Sequence, residues 1–555
     1  MLGEASLDYT ISLNNIGFAY SGLGENEKAK ESYSAAAEIC LKMFGEKHPQ
    51  YATSLNNLSL VYMDSGDKET ALGFCRKALG IRKDIFGKNH PSYSASLYNM
   101  AGIYNHFGDY AEALGFYKQA SKLQKSNIVR NFSFMTAHER ETFWNANSEY
   151  CRKQLNVAYR LPSDTAASRL SYDTELITKG LLLTSEIEFN RLIAESGDSA
   201  LVSEFDNMRK LSLMLNIELE KPVLERIVNC DSLNDEIQKA ERHLVEKCKP
   251  YGDFTRSVAI GWKDVRNALK GNDVAIEFTS YKICPDSTMY AAIVLAKNME
   301  SPMFVPLFEQ KEMNRLLRGV APKEVTHDEN ERGATSVSSK RLGIYESTGL
   351  YDLLWKPLEK YFPENPRIYF APSGMLHKIA VEYAPIDHSK TISDKYEIYR
   401  VSSTRFLAMD YMPSTLKKSV LYGGIFYDSD TVTMKRESER YSTRSTSISS
   451  FAAFNKGEER GSLSYLPGTK TEVEDIFGKL NKKKIKATLY EGSQANEESF
   501  KALSGDNIDV LHIATHGFFL PSEEKLSGEN SLIQSGLLLS GANYAWQNQP
   551  LPQGI

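Results

Sequence analysis

Apolar and polar positions follow two different periods along the chain, and the change falls near residue 256. Before it, apolar residues recur at helical spacing. "SLNNIGFAYSGLGENEKA", "SLNNLSLVYMDSGDKETA" and "SLYNMAGIYNHFGDYAEA" stack with Leu13, Leu55 and Leu97 in register, followed by Gly24, Gly66 and Gly108 and then Ala29, Ala71 and Ala113. The interval from Leu13 to Leu55 to Leu97 is 42 residues. Each unit predicts an amphipathic helix, a glycine turn and a second helix whose alanines allow close approach. Between units, Gly45 to Pro49 and Gly87 to Pro91 read G-x-x-H-P: glycine ends one helix in a left-handed conformation and proline suits the first turn of the next.

From Asn127 to about Tyr251 the helical spacing continues without the 42-residue register. Thr136 with Glu139 predicts a capping box, and "KGLLLTSEIEFNRLI" from Lys179 predicts an amphipathic helix. "HERET" at His138 lacks the second histidine of a zinc-protease helix, so this stretch reads as a connecting helical layer.

Beyond residue 256, runs rich in Val, Ile, Phe and Tyr alternate with helical stretches: "DVAIEF", "YAAIVLA", "RIYFAPSG", "EIYRVSS", "SVLYGGIFY", "KATLYEG" and "DVLHIATHG". Continuous apolar strands between helices predict a parallel or mixed sheet covered on both faces. Two polar stretches, 323–340 and 433–450, predict mobile loops; the second is locally basic and rich in serine.

A chain of 555 residues exceeds one core and implies two to four domains. Its formal net charge of -5 gives no bulk attraction to nucleic acid or an anionic membrane. The first residues lack a signal-peptide pattern, and no apolar run approaches the roughly 18 residues of a membrane helix. The six cysteines, Cys40, Cys75, Cys151, Cys230, Cys248 and Cys284, form no C-x-x-C pair, which fits reduced thiols and argues against a disulfide framework or structural zinc. A cytosolic protein needing no metal or cofactor is expected.

Candidate chemistry concentrates in "DVLHIATHG". Placing Asp509 to Ala514 on a buried strand makes His512 a hydrogen-bonded core residue and puts His516 just past the strand's carboxyl end, where open α/β sheets form their ligand crevice. Gly517 then allows a substrate carbonyl to approach its N–H. An imidazole beside such a donor suits a thiol nucleophile, which needs a base and an oxyanion partner. No cysteine follows His516. Cys284 lacks a context that would lower its pKa, Ser373 and Ser540 form no G-x-S-x-G elbow, and "PGTK" at Pro467 is no phosphate loop.

Two resemblances follow from these residues. The 42-residue units resemble tetratricopeptide repeats of the kinesin-light-chain kind over residues 1–126, followed by a helical connecting region over 127–255. Asn15, Asn57 and Asn99 recur on the first helices, and two readings fit them: an amide ladder binding an extended peptide in the concave groove, or bridges between neighbouring helices. Tyr9 matches Tyr51 and Tyr93, so the chain starts within an inter-repeat turn, fitting either an internal methionine at Met1 or a frayed first unit.

"LPGTKTEVEDI", "KATLYEG", "DVLHIATHG" and "GLLLSGAN", with "WKDVRNAL", "LYDLLWKPLE" and "YFAPSGMLHKIAVEYAPI" before them, resemble the CHAT domain, a caspase-like peptidase module, over residues 256–555. The fold class expected is an all-α tetratricopeptide solenoid followed by an α/β caspase-like domain. The resemblance implies a His/Cys dyad with His516 as general base and Gly517 as backbone oxyanion donor. By analogy with separase it also implies a noncatalytic half, 256–415, and a histidine-bearing half, 416–555. Since the cysteine expected after the histidine is absent, the sequence reads as an incomplete cysteine endopeptidase, inactive as written, whose repeats bind a protein partner or substrate. The competing reading is a noncatalytic interaction scaffold with a degenerate peptidase fold.

Overall fold

A computed structural model describes residues 6–220, 226–247, 258–284, 286–319, 343–409, 416–441, 462–503, 506–519 and 535–546. The polar stretch 323–340, the part 442–450 of the second and the terminal residues 547–555 lie outside the described residues. The described residues divide into two compact units, one within 1–208, 238–324 and 340–409, the other within 209–237 and 410–555.

The first unit opens with three helical hairpins: α1 (Leu7–Gly22) and α2 (Asn26–Phe44), α3 (Pro49–Asp64) and α4 (Lys68–Phe86), α5 (Pro91–His106) and α6 (Tyr110–Phe132). Gly45 and Gly87 have φ of 79° and 78° but ψ near 180°, so they occupy the extended mirror region rather than the expected left-handed helical one. Both regions are open to glycine alone at no steric cost. Pro49 and Pro91 take the first helical turn as expected. The histidines before them supply a cap that the sequence pattern did not reveal: Nδ1 of His48 accepts from Gln50 N and Nδ1 of His90 from Ser92 N. Each imidazole also stacks on a preceding phenylalanine, Phe44 or Phe86.

The helical layer continues through α7 (Ala137–Arg152), α8 (Leu155–Arg160), α9 (Thr165–Thr178) and α10 (Leu181–Glu195). Thr136 and Glu139 form the expected reciprocal capping box on α7. Two longer helices, α11 (Ser199–Glu220) and α12 (Cys230–Lys247), follow, then α13 (Trp262–Ala268). No helix among the described residues is long and apolar enough to cross a membrane.

Five strands complete this unit: β1 (Asp273–Cys284), β2 (Ser287–Ala296), β3 (Met303–Glu309), β4 (Arg367–Ala371) and β5 (Glu397–Arg400), in the order β3-β2-β1-β4-β5. β1, β2 and β3 pair antiparallel, while β1, β4 and β5 run parallel, so the sheet is mixed. β3 has no counterpart among the predicted strands. Its Pro306 weakens the strand pattern, and it sits at the sheet edge beside a register shift, where a residue without N–H is tolerated. Ala275, Tyr281, Ala291 and Ile293 pack toward the helical layer. Ile276, Phe278, Val294 and Phe370 pack on the opposite face with Trp355. Short helices α14 (Gln310–Gly319), α15 (Gly349–Leu354) and α16 (Ile392–Lys395) lie between the strands in sequence.

The second unit is built on three parallel strands, β6 (Lys418–Ile425), β7 (Lys486–Gly492) and β8 (Val510–Ile513), in the order β7-β6-β8. Helix α17 (Thr431–Ser438) overlaps the start of the stretch 433–450 expected to be a loop. Asp430 caps it by accepting from Thr433 N, and Met434 and Glu437 are buried, so local capping and a few anchors overcome a polar composition. Helix α18 (Pro467–Lys482) packs Val473 against Leu421 of β6, and α19 (Glu497–Lys501) follows β7. A hairpin of β9 (Gly517–Phe519) and β10 (Ser535–Leu537) and the short α20 (Ala542–Trp546) end the described chain.

Candidate functional site

Because β6, β7 and β8 are parallel, their carboxyl ends share one edge, and the residues that follow them meet there. After β8, Ala514 N still donates to Tyr422 O of β6. The chain then leaves the sheet through Thr515 and His516, and Gly517 opens β9.

The strand carrying these residues differs from the buried one expected. Among the described residues β8 pairs on one side only, with β6, and Val510 and Leu511 are 38% and 43% exposed. His512 is accordingly half-buried rather than a core residue. Its Nε2 lies 3.1 Å from Glu472 Oε1 without the alignment of a hydrogen bond. The physical reason is position in the sheet: an apolar run reads the same whether its strand is central or at an edge.

His516 is held at several points. Thr515 Oγ1 donates to Leu538 O, which leaves the Tyr427 hydroxyl to donate to Thr515 Oγ1 at 2.9 Å. The Tyr427 oxygen in turn accepts from His516 N at 3.3 Å, and the two rings lie 5.0 Å apart. Leu538 N donates to His516 O at 2.9 Å. On the ring, Nε2 lies 2.9 Å from Ser464 O. A carbonyl can only accept, so Nε2 carries the proton and the neutral ring keeps its lone pair on Nδ1.

Gly517 pairs with Leu537 across the hairpin. Antiparallel ladders alternate hydrogen-bonded and non-bonded pairs, and the bond between Leu538 N and His516 O assigns the neighbouring Gly517 pair to the non-bonded class. Its N–H therefore points away from β10.

Ser464 precedes α18 on a short segment fixed by Asn543, a buried residue that follows β10. Asn543 Oδ1 accepts from Leu463 N, and Nδ2 reaches Leu463 O, Ser462 Oγ and Asp428 Oδ1. Asn543 N donates to Tyr427 O, so one residue ties together the segments that hold both ends of His516. Tyr427, Ser464, Thr515 and Asn543 escaped sequence reasoning, although "GLLLSGAN" contains Asn543 and T-H-G contains Thr515.

The other candidates are placed elsewhere. Ser540 Oγ bonds Ser429 Oγ and Phe426 O. Ser373 is buried in the first unit against Ser280 Oγ, and Cys284 is exposed at the end of β1, in the same unit. Cys75 and Cys151 are buried, and burial pushes both thiols up to about 12, the wrong direction for a nucleophile. The three asparagines of the repeats do not share one environment: Asn15 is exposed, Asn57 half-buried and Asn99 buried. Asn57 Nδ2 donates to Asn14 Oδ1 at 3.1 Å, a bridge between neighbouring first helices, while Asn14 Nδ2 donates to Ser54 Oγ.

Comparison with known proteins agrees with this organisation. The CHAT domain profile matches residues 346–551, and the tetratricopeptide repeat profile matches residues 8–84 and 60–126. No curated protein sequence matches the chain. Among solved structures, BtubC (BKLC) from P. vanneervenii is 18% identical over 29% of this chain and 62% of its own, with a TM-score of 0.21. A putative kinesin light chain from Podosopora anserina, with nearly identical TPR-like repeats, is 18% identical over 34% of this chain and 89% of its own, with a TM-score of 0.22. The chain therefore carries tetratricopeptide repeats within 8–126 and a CHAT domain within 346–551.

Proposed function

We propose that the second unit carries the base half of a cysteine endopeptidase site. His516 Nδ1 takes the proton of a thiol, and the Gly517 N–H receives the oxyanion that forms when the thiolate attacks a peptide carbonyl. The observation that carries this reading is the bond from His516 Nε2 to Ser464 O, which fixes the tautomer and orientation of a base at the sheet's carboxyl edge. The repeats bind the protein partner or substrate through their first helices, with Asn15 the most accessible of the three amides. The described cysteines are all free thiols, which supports a reducing, cytosolic setting.

The 555 residues hold no cysteine after His516. Expressing the reading frame through the Ile555 codon to its stop, with and without His516→Ala, tests the assignment. The expected result is thiol-dependent peptide cleavage lost in the alanine form. Equal cleavage by both forms, or a stop codon directly after Ile555, overturns it in favour of a noncatalytic interaction scaffold.

A further inference from the structure

Lysines of the second unit gather at one end of its three-stranded sheet. The segment "GKLNKKKIK" runs from the last turn of α18, with Lys479 and Lys482, through Lys483 and Lys484 to Lys486 at the start of β7. β7 lies parallel to β6 with Lys486 opposite Lys418, and Lys486 N donates to Lys417 O at 3.2 Å. The end of α18 and the starts of β6 and β7 thus share the amino-terminal edge of the sheet. Lys417, Lys479, Lys482, Lys483, Lys484 and Lys486 are all exposed, and none of the six forms a salt bridge among the described residues. Lys418 differs: its Nζ pairs with Asp506 at 2.6 Å. The nearby Asp509 carboxylate is occupied by backbone, accepting from Lys417 N and Lys418 N.

The carbonyl end of a helix favours cations, which accounts for Lys479 and Lys482. It does not account for Lys484. Beyond α18, Lys484 N donates to Asn481 O and Ile485 N to Leu480 O, the paired closure in which the chain turns left-handed. Lys484 takes that turn with φ of 59°. Glycine adopts such a φ freely, whereas a side chain with a Cβ is strained there. The other described non-glycine residue with positive φ is Asn365, a type that tolerates it. The fold gives up stability to keep a cation at this corner, and such an outlier points to use of the side chain.

We propose that this lysine edge docks an acidic peptide segment of a partner protein. α18 and β7 carry no arginine and no exposed aromatic ring, so the edge offers point charges without the forks or stacking platforms that read nucleic acid bases. A duplex or an anionic bilayer would extend past the patch over a chain of net charge -5, while a short acidic segment matches its size. His516 follows the opposite, carboxyl edge of the same sheet, so the site is separate from it and independent of the role given to that histidine.

Fluorescein-labelled decaglutamate titrated into the 555-residue chain and followed by anisotropy tests the proposal. Saturable micromolar binding at low ionic strength is expected, weakening as salt is raised. The double variant Lys482→Glu, Lys484→Glu should bind at least about tenfold more weakly. Lys484→Gly separates binding from folding: it should raise Tm by relieving the left-handed strain and still weaken binding. Absence of binding, or binding indifferent to these substitutions, overturns the proposal. So does tighter binding of duplex DNA or phosphatidylserine vesicles than of decaglutamate, lost in the same double variant, since the edge would then serve a different class of polyanion.

Discussion

Asn543 grips the backbone of Leu463 with both atoms of its amide, accepting from Leu463 N at 2.7 Å and donating to Leu463 O at 3.1 Å. The next residue, Ser464, supplies the carbonyl that orients His516. Asn543→Ala removes these bonds and those to Ser462 and Asp428 from a buried position, and should cost about 2–3 kcal/mol in denaturant unfolding. The sharper readout is the His516 tautomer: 15N NMR of the parent should show the proton on Nε2, and the variant a mixture. A variant spectrum still showing one tautomer would remove Asn543 from the positioning of this ring.

The histidine caps make a second case. His90→Ala deletes the acceptor for Ser92 N at the start of α5, and stability should fall by about 1 kcal/mol, whereas His90→Asn should restore most of it. Burial first, then the Arg130 and Arg82 guanidinium groups, hold the His90 pKa below its ordinary 6.5. A lowered folded pKa means the native state binds fewer protons, so this contribution is present above pH 6.5 and fades as pH falls. Thermal melts of parent and His90→Ala should therefore converge on acidification.

Asp173 behaves in the opposite sense. Its carboxylate accepts from Trp262 N at 2.7 Å at the start of α13, yet burial pushes its pKa up to about 6. Between the ordinary 3.8 and 6 the native state binds more protons than the unfolded chain, so stability falls as pH rises through this window, by on the order of 1–3 kcal/mol. Asp173→Asn keeps an acceptor and removes the titration. Its Tm should vary less than the parent's between pH 4 and pH 6 on this carboxyl's account, and identical slopes would contradict the assignment.

Lys179 joins the helical layer to the five-stranded sheet. Its Nζ donates to Glu277 Oε2 at 2.6 Å, Phe278 O at 2.6 Å and Ala371 O at 2.9 Å, while Glu277 Oε1 accepts from Thr404 N at 2.6 Å. Lys179→Met leaves a buried carboxylate without its cation and should cost about 3–5 kcal/mol. The double variant Lys179→Met, Glu277→Gln should recover part of that loss. Unfolding free energies that simply add would show the two side chains to be uncoupled.

Local pattern carried a good deal of this protein. The 42-residue register set the six repeat helices, Thr136 and Glu139 announced their capping box, and seven apolar runs became seven strands. The misreadings share a cause. β3 was hidden by Pro306, which is disruptive inside a sheet and harmless at its edge. The helix α17 was hidden by polar residues that a capped, anchored turn can afford.

By itself the sequence determined where helices and strands form and that His516 follows one of the strands, because periodicity, turns and caps act between residues a few positions apart. Only the tertiary structure decided that β8 pairs with β6 alone among the described residues, that His512 is half-exposed, and that His516 bonds Ser464 and Tyr427, 52 and 89 residues away. Those contacts depend on β6 lying between β7 and β8, and strand order is a global choice among pairings that no single strand's composition records.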